Sequence, residues 1–86
     1  MAYRVVYHPK AESELTRLYD HIALAAGARI AGDFVDGVIR YIEDLSTFPE
    51  RGTVRASRVP GLRIVGYRRT VTVAFFVRGE EVIVLG

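Results

Sequence analysis

The sequence predicts an α+β fold of order β-α-α-β-β-β, a helical hairpin packed on a small, largely antiparallel sheet. Three observations predict it. The first residues alternate with period two. Two stretches then repeat apolar residues at spacings of three and four, and meet at Gly27. Finally, three runs rich in β-formers fill the span from Leu62 to Leu85, separated by turn residues.

Residues 2–8 open the chain as a short strand, with Tyr3, Val5 and Tyr7 on one face and Arg4, Val6 and His8 on the other. Pro9 cannot continue a central strand but fits the first turn of a helix. The helix over residues 9–26 follows from Ala11, Leu15, Leu18, Tyr19, Ile22 and Ala26, with Glu12 and Glu14 placed to complement its dipole. His8 is read as a helix cap and His21 as a surface or boundary residue. Gly27 ends the first helix, and a second runs over residues 28–48 on Ile30, Phe34, Val38, Tyr41, Ile42 and Leu45. Gly32 and Gly37 lie inside it at a cost of about 1 kcal/mol each relative to alanine, and either permit close packing or loosen the helix. The short break between the helices requires an antiparallel hairpin.

Phe48-Pro49-Glu50-Arg51-Gly52 stops the second helix and turns the chain, and residues 53–59 read as irregular. Pro60-Gly61 suits the centre of a type II turn. Strands follow at 62–67, 70–77 and 81–85, the last two joined by a hairpin turn at Arg78-Gly79-Glu80. The run Val71–Val77 is apolar on both faces, which places its strand centrally. Val82-Ile83-Val84-Leu85-Gly86 ends the sequence on an apolar strand, an expected sticky edge unless something covers it.

At 86 residues the chain is expected to form one domain, residues 1–86, with a thin stability margin. Half of it is hydrophobic, which argues for a packed core rather than disorder. Without cysteine it can form neither a disulfide framework nor a thiolate metal site, in keeping with a cytoplasmic location. It has neither the run of about 20 apolar residues that spans a bilayer nor the apolar start of a signal peptide, so no membrane role is expected.

Net charge is +2, but its distribution is uneven. Acidic residues outnumber basic ones up to Glu50. From Arg51 onward, Arg51, Arg55, Arg58, Arg63, Arg68, Arg69 and Arg78 face only Glu80 and Glu81. Lys10 is the sole lysine. Guanidinium groups suit bidentate contacts with phosphate or carboxylate. A high-GC genome favouring arginine codons, or arginines snorkelling at the rim of an apolar sheet, are the plainer readings. The functional one is a basic face, formed by Arg58, Arg63, Tyr67, Arg68, Arg69 and Arg78, that contacts nucleic acid or an enzyme–DNA complex.

Catalytic chemistry has weaker support. Metal-free RNA cleavage needs a base, an acid and cations for the phosphorane charge. Glu50, Arg51 and Arg63 are the candidates, with a solvated Glu50–Arg51 loop pair as the plainer reading. Asp33 and Asp36 share a helix face without a histidine at ligand spacing, so no metal is expected. No Gly-rich phosphate loop is present and no cofactor is implied.

The layout resembles the ParE/RelE superfamily of type II toxin–antitoxin toxins, closer to the ParE branch. The resemblance is carried by His8-Pro9-Lys10-Ala11, by Leu15, Tyr19, Ile22, Phe34 and Leu45, by Phe48-Pro49-Glu50-Arg51-Gly52, by Pro60-Gly61-Leu62-Arg63, and by Tyr67, Phe75-Phe76-Val77 and Val82 to Gly86. Order and spacing carry it over essentially the whole chain. It implies a plasmid-stabilization-type toxin held by an acidic antitoxin in a heterodimer or heterotetramer, and acting on DNA gyrase by binding rather than catalysis. Its alternatives are a ribosome-dependent mRNA endonuclease of RelE type and a degenerate member that binds an antitoxin and poisons nothing. Family members usually continue past the last strand with Gly, Arg and often His or Tyr. None follows Gly86, so the ribonuclease role is expected to be weak. The apolar sheet exceeds what one helical hairpin covers, and Leu18, Ile22, Val73, Phe75, Val82 and Val84 are the expected antitoxin contacts. A homodimer through the same surface is the competing expectation.

Overall fold

The computed structural model describes residues 3–55 and 58–86. Ala2, at the expected start of the first strand, and Ala56 and Ser57, within the expected irregular stretch, lie outside them. The elements are β1 (Arg4–Tyr7), α1 (Pro9–Ala26), α2 (Ala28–Glu43), a 3₁₀ turn (Asp44–Ser46), β2 (Thr53–Val54), β3 (Arg63–Tyr67), β4 (Val71–Arg78) and β5 (Glu81–Val84). The five strands form one sheet in the order β1-β5-β4-β3-β2, with β1 parallel to β5 and every other pair antiparallel. This is the expected α+β arrangement, and β4 is its centre.

The structure corrects three boundaries. The second helix ends at Glu43 and tightens into the 3₁₀ turn rather than running to residue 48. Thr53 and Val54, expected to be irregular, pair with Ile64 and Arg63 as a two-residue edge strand. The final strand is not an edge. β1 lies alongside β5 in the register Val5–Val82 and Tyr7–Val84, covering the flank that the sequence left open.

Local chemistry accounts for the joints. His8 caps α1: its Nδ1 accepts the Lys10 N–H at 3.1 Å, ahead of Pro9 in the first turn. Gly27, at φ 98°, serves both helices. Its N–H reaches the Ala23 carbonyl at 2.9 Å, and its own carbonyl accepts the Ala31 N–H at 3.1 Å. Gly61, at φ 73°, follows Pro60 in a turn closed by the Leu62 N–H on the Val59 carbonyl at 3.3 Å, as type II geometry requires.

The core joins Ala11, Val38, Ile42 and Leu45 of the helical layer to Val65, Val73, Phe75, Val82 and Val84 of the sheet. Burial of each larger side chain contributes about 1.5–3 kcal/mol. The expected α2 stripe is rotated by one residue at its start. Ala31 is fully buried, whereas Ile30 is 54% exposed. Near the hairpin joint at Gly27, the small Ala31 is the residue that α2 buries, while Leu24 and Ile30 are exposed.

Two glycines are fixed by close approach. The Tyr67 hydroxyl lies where a side chain at Gly37 would stand, with the ring Cζ 3.4 Å from that position. Tyr67 packs edge-on against Phe34 at 5.7 Å and tilted against Tyr41 at 5.3 Å. Gly37 therefore permits a close contact between α2 and β3. Gly52, at φ 78°, has no room for a Cβ: the Ile64 backbone carbonyl and the Val65 Cγ1 occupy the space. Replacement of Gly52 by alanine combines strained backbone with a clash against backbone. Gly52→Ala is expected to lower unfolding free energy by about 2–4 kcal/mol in urea titration, while alanine at Gly61, which has open space, costs less.

Tyr7 brings a buried hydroxyl into this core without a hydrogen-bond partner among the described residues. Burial first, and the nearby Glu43 carboxylate second, push its pKa up to about 12. The folded chain thus holds the phenolic proton more tightly than the unfolded one. That contribution is complete below pH 10 and is lost as pH rises through 12. Tyr7→Phe is expected to raise stability by about 1 kcal/mol at neutral pH by removing the unpaired hydroxyl. It should also flatten the decline in stability between pH 10 and 12 followed by circular dichroism.

Candidate functional site

Strand register assigns every side chain of the sheet to a face. Arg63, Val65 and Tyr67 stand opposite Phe75, Val73 and Val71, and Phe75 and Val77 stand opposite Val84 and Val82. This set faces the helices, as the burial of Val65, Val73, Phe75, Val82 and Val84 requires. The alternate set, Val6, Ile64, Ala74, Phe76, Ile83 and Leu85, takes the outer face, where each is half-buried. Among the described residues no element of the chain lies over that face.

This geometry shows where the expected antitoxin contacts lie in the fold. Val73, Phe75, Val82 and Val84, expected as antitoxin contacts, are each 3% exposed or less and form the core beneath the helices. The physical reason is parity. Both faces of β4 and β5 are apolar, so alternation alone does not reveal which one the helices cover. Leu18 and Ile22 are half-buried on α1. Leu18 lines a cleft of about 240 Å³ with Leu15, Val71 and Thr72, with Val73 and Val84 at its floor. Glu14 and Thr70 supply polar groups at that cleft, and Ile22 is not part of its lining.

The arginines do not share one face. Arg68 and Arg69 form the β3–β4 turn at one end of the sheet. Arg78 lies at the far end of β4, roughly 25 Å away by strand rise. Arg58 belongs to the β2–β3 connection and is exposed. Arg63 begins β3 on the helix-facing side and is half-buried beside Val54 and Phe75. Tyr67 is not an open contact residue: α2 packs on its ring, and the Arg68 guanidinium lies 5.4 Å from the ring centre. Arg4, at the other end of the sheet, pairs with Glu81.

The β3–β4 turn carries a feature that the sequence did not reveal. Arg68 and Arg69 have φ of 49° and 61°, and they are the two non-glycine residues with positive φ among those described. The Thr70 N–H donates to the Tyr67 carbonyl at 3.1 Å, and the Thr70 hydroxyl donates to the Arg68 carbonyl at 3.1 Å. Successive positive φ values are the pattern of a type I′ turn, which Asn-Gly adopts readily. Arginine there costs on the order of 1 kcal/mol per residue. By contrast, the β4–β5 turn places Gly79, at φ 59°, at its first central position.

The residues weighed for catalysis are not brought together. Glu50 is exposed, and Arg51 stacks over Phe48 at 5.6 Å rather than pairing with it. No hydrogen bond or ion pair joins Glu50, Arg51 and Arg63 among the described residues. His8 is occupied as a cap, and His21 is exposed on α1. Asp33 and Asp36 are exposed on α2, and no group of three or more His, Asp or Glu side chains could hold a metal ion among the described residues. No helix among them is long and apolar enough to cross a membrane.

With this geometry in hand, the chain can be compared with known proteins. The family described as the ParE toxin of the type II toxin-antitoxin system, parDE, matches residues 5–86. Among solved structures, the chain is similar to one from the chromosomal ParDE TA system from P. aeruginosa. The two share 27% sequence identity at a TM-score of 0.83, over 98% of this chain and 91% of the other. No curated protein is matched. Because the family match runs through all five strands and both helices, the chain belongs to the ParE toxin family of type II toxin–antitoxin systems.

Proposed function

We propose that this toxin is neutralised by direct binding of an acidic antitoxin and acts on DNA gyrase by binding rather than by catalysis. The observation that carries the antitoxin part is the outer sheet face. Val6, Ile64, Ala74, Phe76, Ile83 and Leu85 offer a contiguous apolar surface on rigid strands, with the chain's own helices on the opposite side. A partner segment laid there buries surface that the two-layer fold leaves open. The cleft at Leu18 supplies a pocket for one anchoring side chain, and the basic second half of the chain complements an acidic partner.

Gyrase as target is the reading that the resemblance to ParE toxins suggests. Its support here is the lack of an assembled acid–base pair among the described residues and the exposed arginines Arg58, Arg68, Arg69 and Arg78. These four, with the half-buried Arg63, are the proposed target contacts. Tyr67 acts behind Arg68 as a packing shelf.

Two outcomes are expected. Phe76→Asp on the outer face should keep the circular dichroism spectrum and weaken binding of a cognate antitoxin by on the order of 100-fold, read by calorimetry. Unchanged affinity would remove that face from the account. Added to purified gyrase with plasmid, the wild-type chain should accumulate double-strand-cleaved DNA. Intact plasmid, together with cut mRNA on ribosomes, would replace this reading with an endonuclease.

A further inference from the structure

We infer that the Arg68–Arg69 turn is a phosphodiester-binding tip, a direct contact for a nucleic-acid backbone made by the toxin itself. The inference deepens the target-contact reading above, and rests on it only in treating the exposed arginines as a working surface.

Four observations lead to it. First, both arginines hold left-handed backbone, where asparagine and glycine fit without strain. The same chain uses glycine at positive φ in its β4–β5, Pro60-Gly61 and interhelical turns, so the strained choice is confined to this one. Second, both side chains are exposed, and neither pairs with a carboxylate among the described residues. Third, the turn is fastened. Thr70 closes it with two hydrogen bonds, and Arg68 lies against Tyr67, whose ring is wedged over Gly37 between Phe34 and Tyr41. A guanidinium resting on an immobilised ring loses less freedom when it binds an anion. Fourth, the tip itself is polar: Arg68, Arg69 and Thr70 are exposed, and only Thr70 of the three borders the apolar cleft at Leu18. Two adjacent cations and a hydroxyl suit phosphate oxygens, which need charge and hydrogen bonds alone.

The test exploits opposite effects on stability and binding. In Arg68→Asn/Arg69→Gly the turn receives the residues its backbone favours, so Tm should rise by several degrees. Fluorescence anisotropy with a 20-base-pair DNA duplex at 50 mM NaCl should show affinity falling on the order of 10-fold or more, with the slope of log affinity against log salt shallower by about 2. Arg68→Lys/Arg69→Lys should keep most of that slope. Should the first variant fail to fold, Arg68→Gln/Arg69→Gln carries the same binding test and is expected to show the same loss. A 20-nucleotide single-stranded RNA run in parallel identifies which nucleic acid supplies the backbone, by which of the two binds more tightly. Wild-type affinity in the charge-removing variants overturns the inference. So does absent duplex and RNA binding by the wild-type chain, or equal binding to polyglutamate. A chain that binds DNA through this tip yet leaves gyrase untouched defeats the gyrase reading alone. One that poisons gyrase with DNA affinity indifferent to the tip defeats this inference alone.

Discussion

The molecule depends on a strand that is apolar on both faces and covered on one. β4 sits third of five in the sheet, with Val73 and Phe75 under the helices and Ala74 and Phe76 on the opposite side. Among the described residues the two α-helices and the short 3₁₀ turn after them make one layer. Packing them on the sheet produces the core of Val38, Ile42, Leu45, Phe75, Val82 and Val84. It also fixes what remains open. The outer face exists because stability was assembled on the other side, and among the described residues no element lies over it.

The core also dictates fine features that look unrelated to function. Tyr67 fills the gap between β3 and α2, and does so because position 37 has no side chain. The same ring supports Arg68 on its exposed side. A packing contact and a presented charge thus share one residue. Gly52 lets the chain pass against the Ile64 carbonyl and enter β2, which pairs with the β3 edge. These contacts link the interior to the turns, so that Arg68 is held by the same packing that holds the fold.

Much of the architecture was legible in the sequence. The element order, the His8-Pro9 cap, the Gly27 joint and the Pro60-Gly61 turn rest on local chemistry, which a short stretch of residues reports reliably. The site was less legible, for a physical reason. Alternation separates two faces but does not label them when both are apolar. Val73, Phe75, Val82 and Val84 therefore read as a partner surface, whereas Ala74, Phe76, Ile83 and Leu85 occupy the open side. The parallel placement of β1 beside β5 is a long-range choice that no local pattern encodes, and it turned an apparent sticky edge into an interior strand. The left-handed arginines were hidden for the opposite reason: nothing in Arg-Arg announces a turn of that hand. The pairing of Tyr67 with Gly37 left only a trace, a glycine inside a helix whose two possible meanings the contact decides.

The central claim is that one face of the sheet belongs to the fold and the other to a partner. Methyl-labelled NMR spectra of the chain with and without its antitoxin test it most directly. The account predicts large shifts at the methyl groups of Val6, Ile64, Ala74, Ile83 and Leu85, with Val65, Val73, Val82 and Val84 little changed. The reverse pattern, large shifts at the inner valines with a silent outer face, would contradict it.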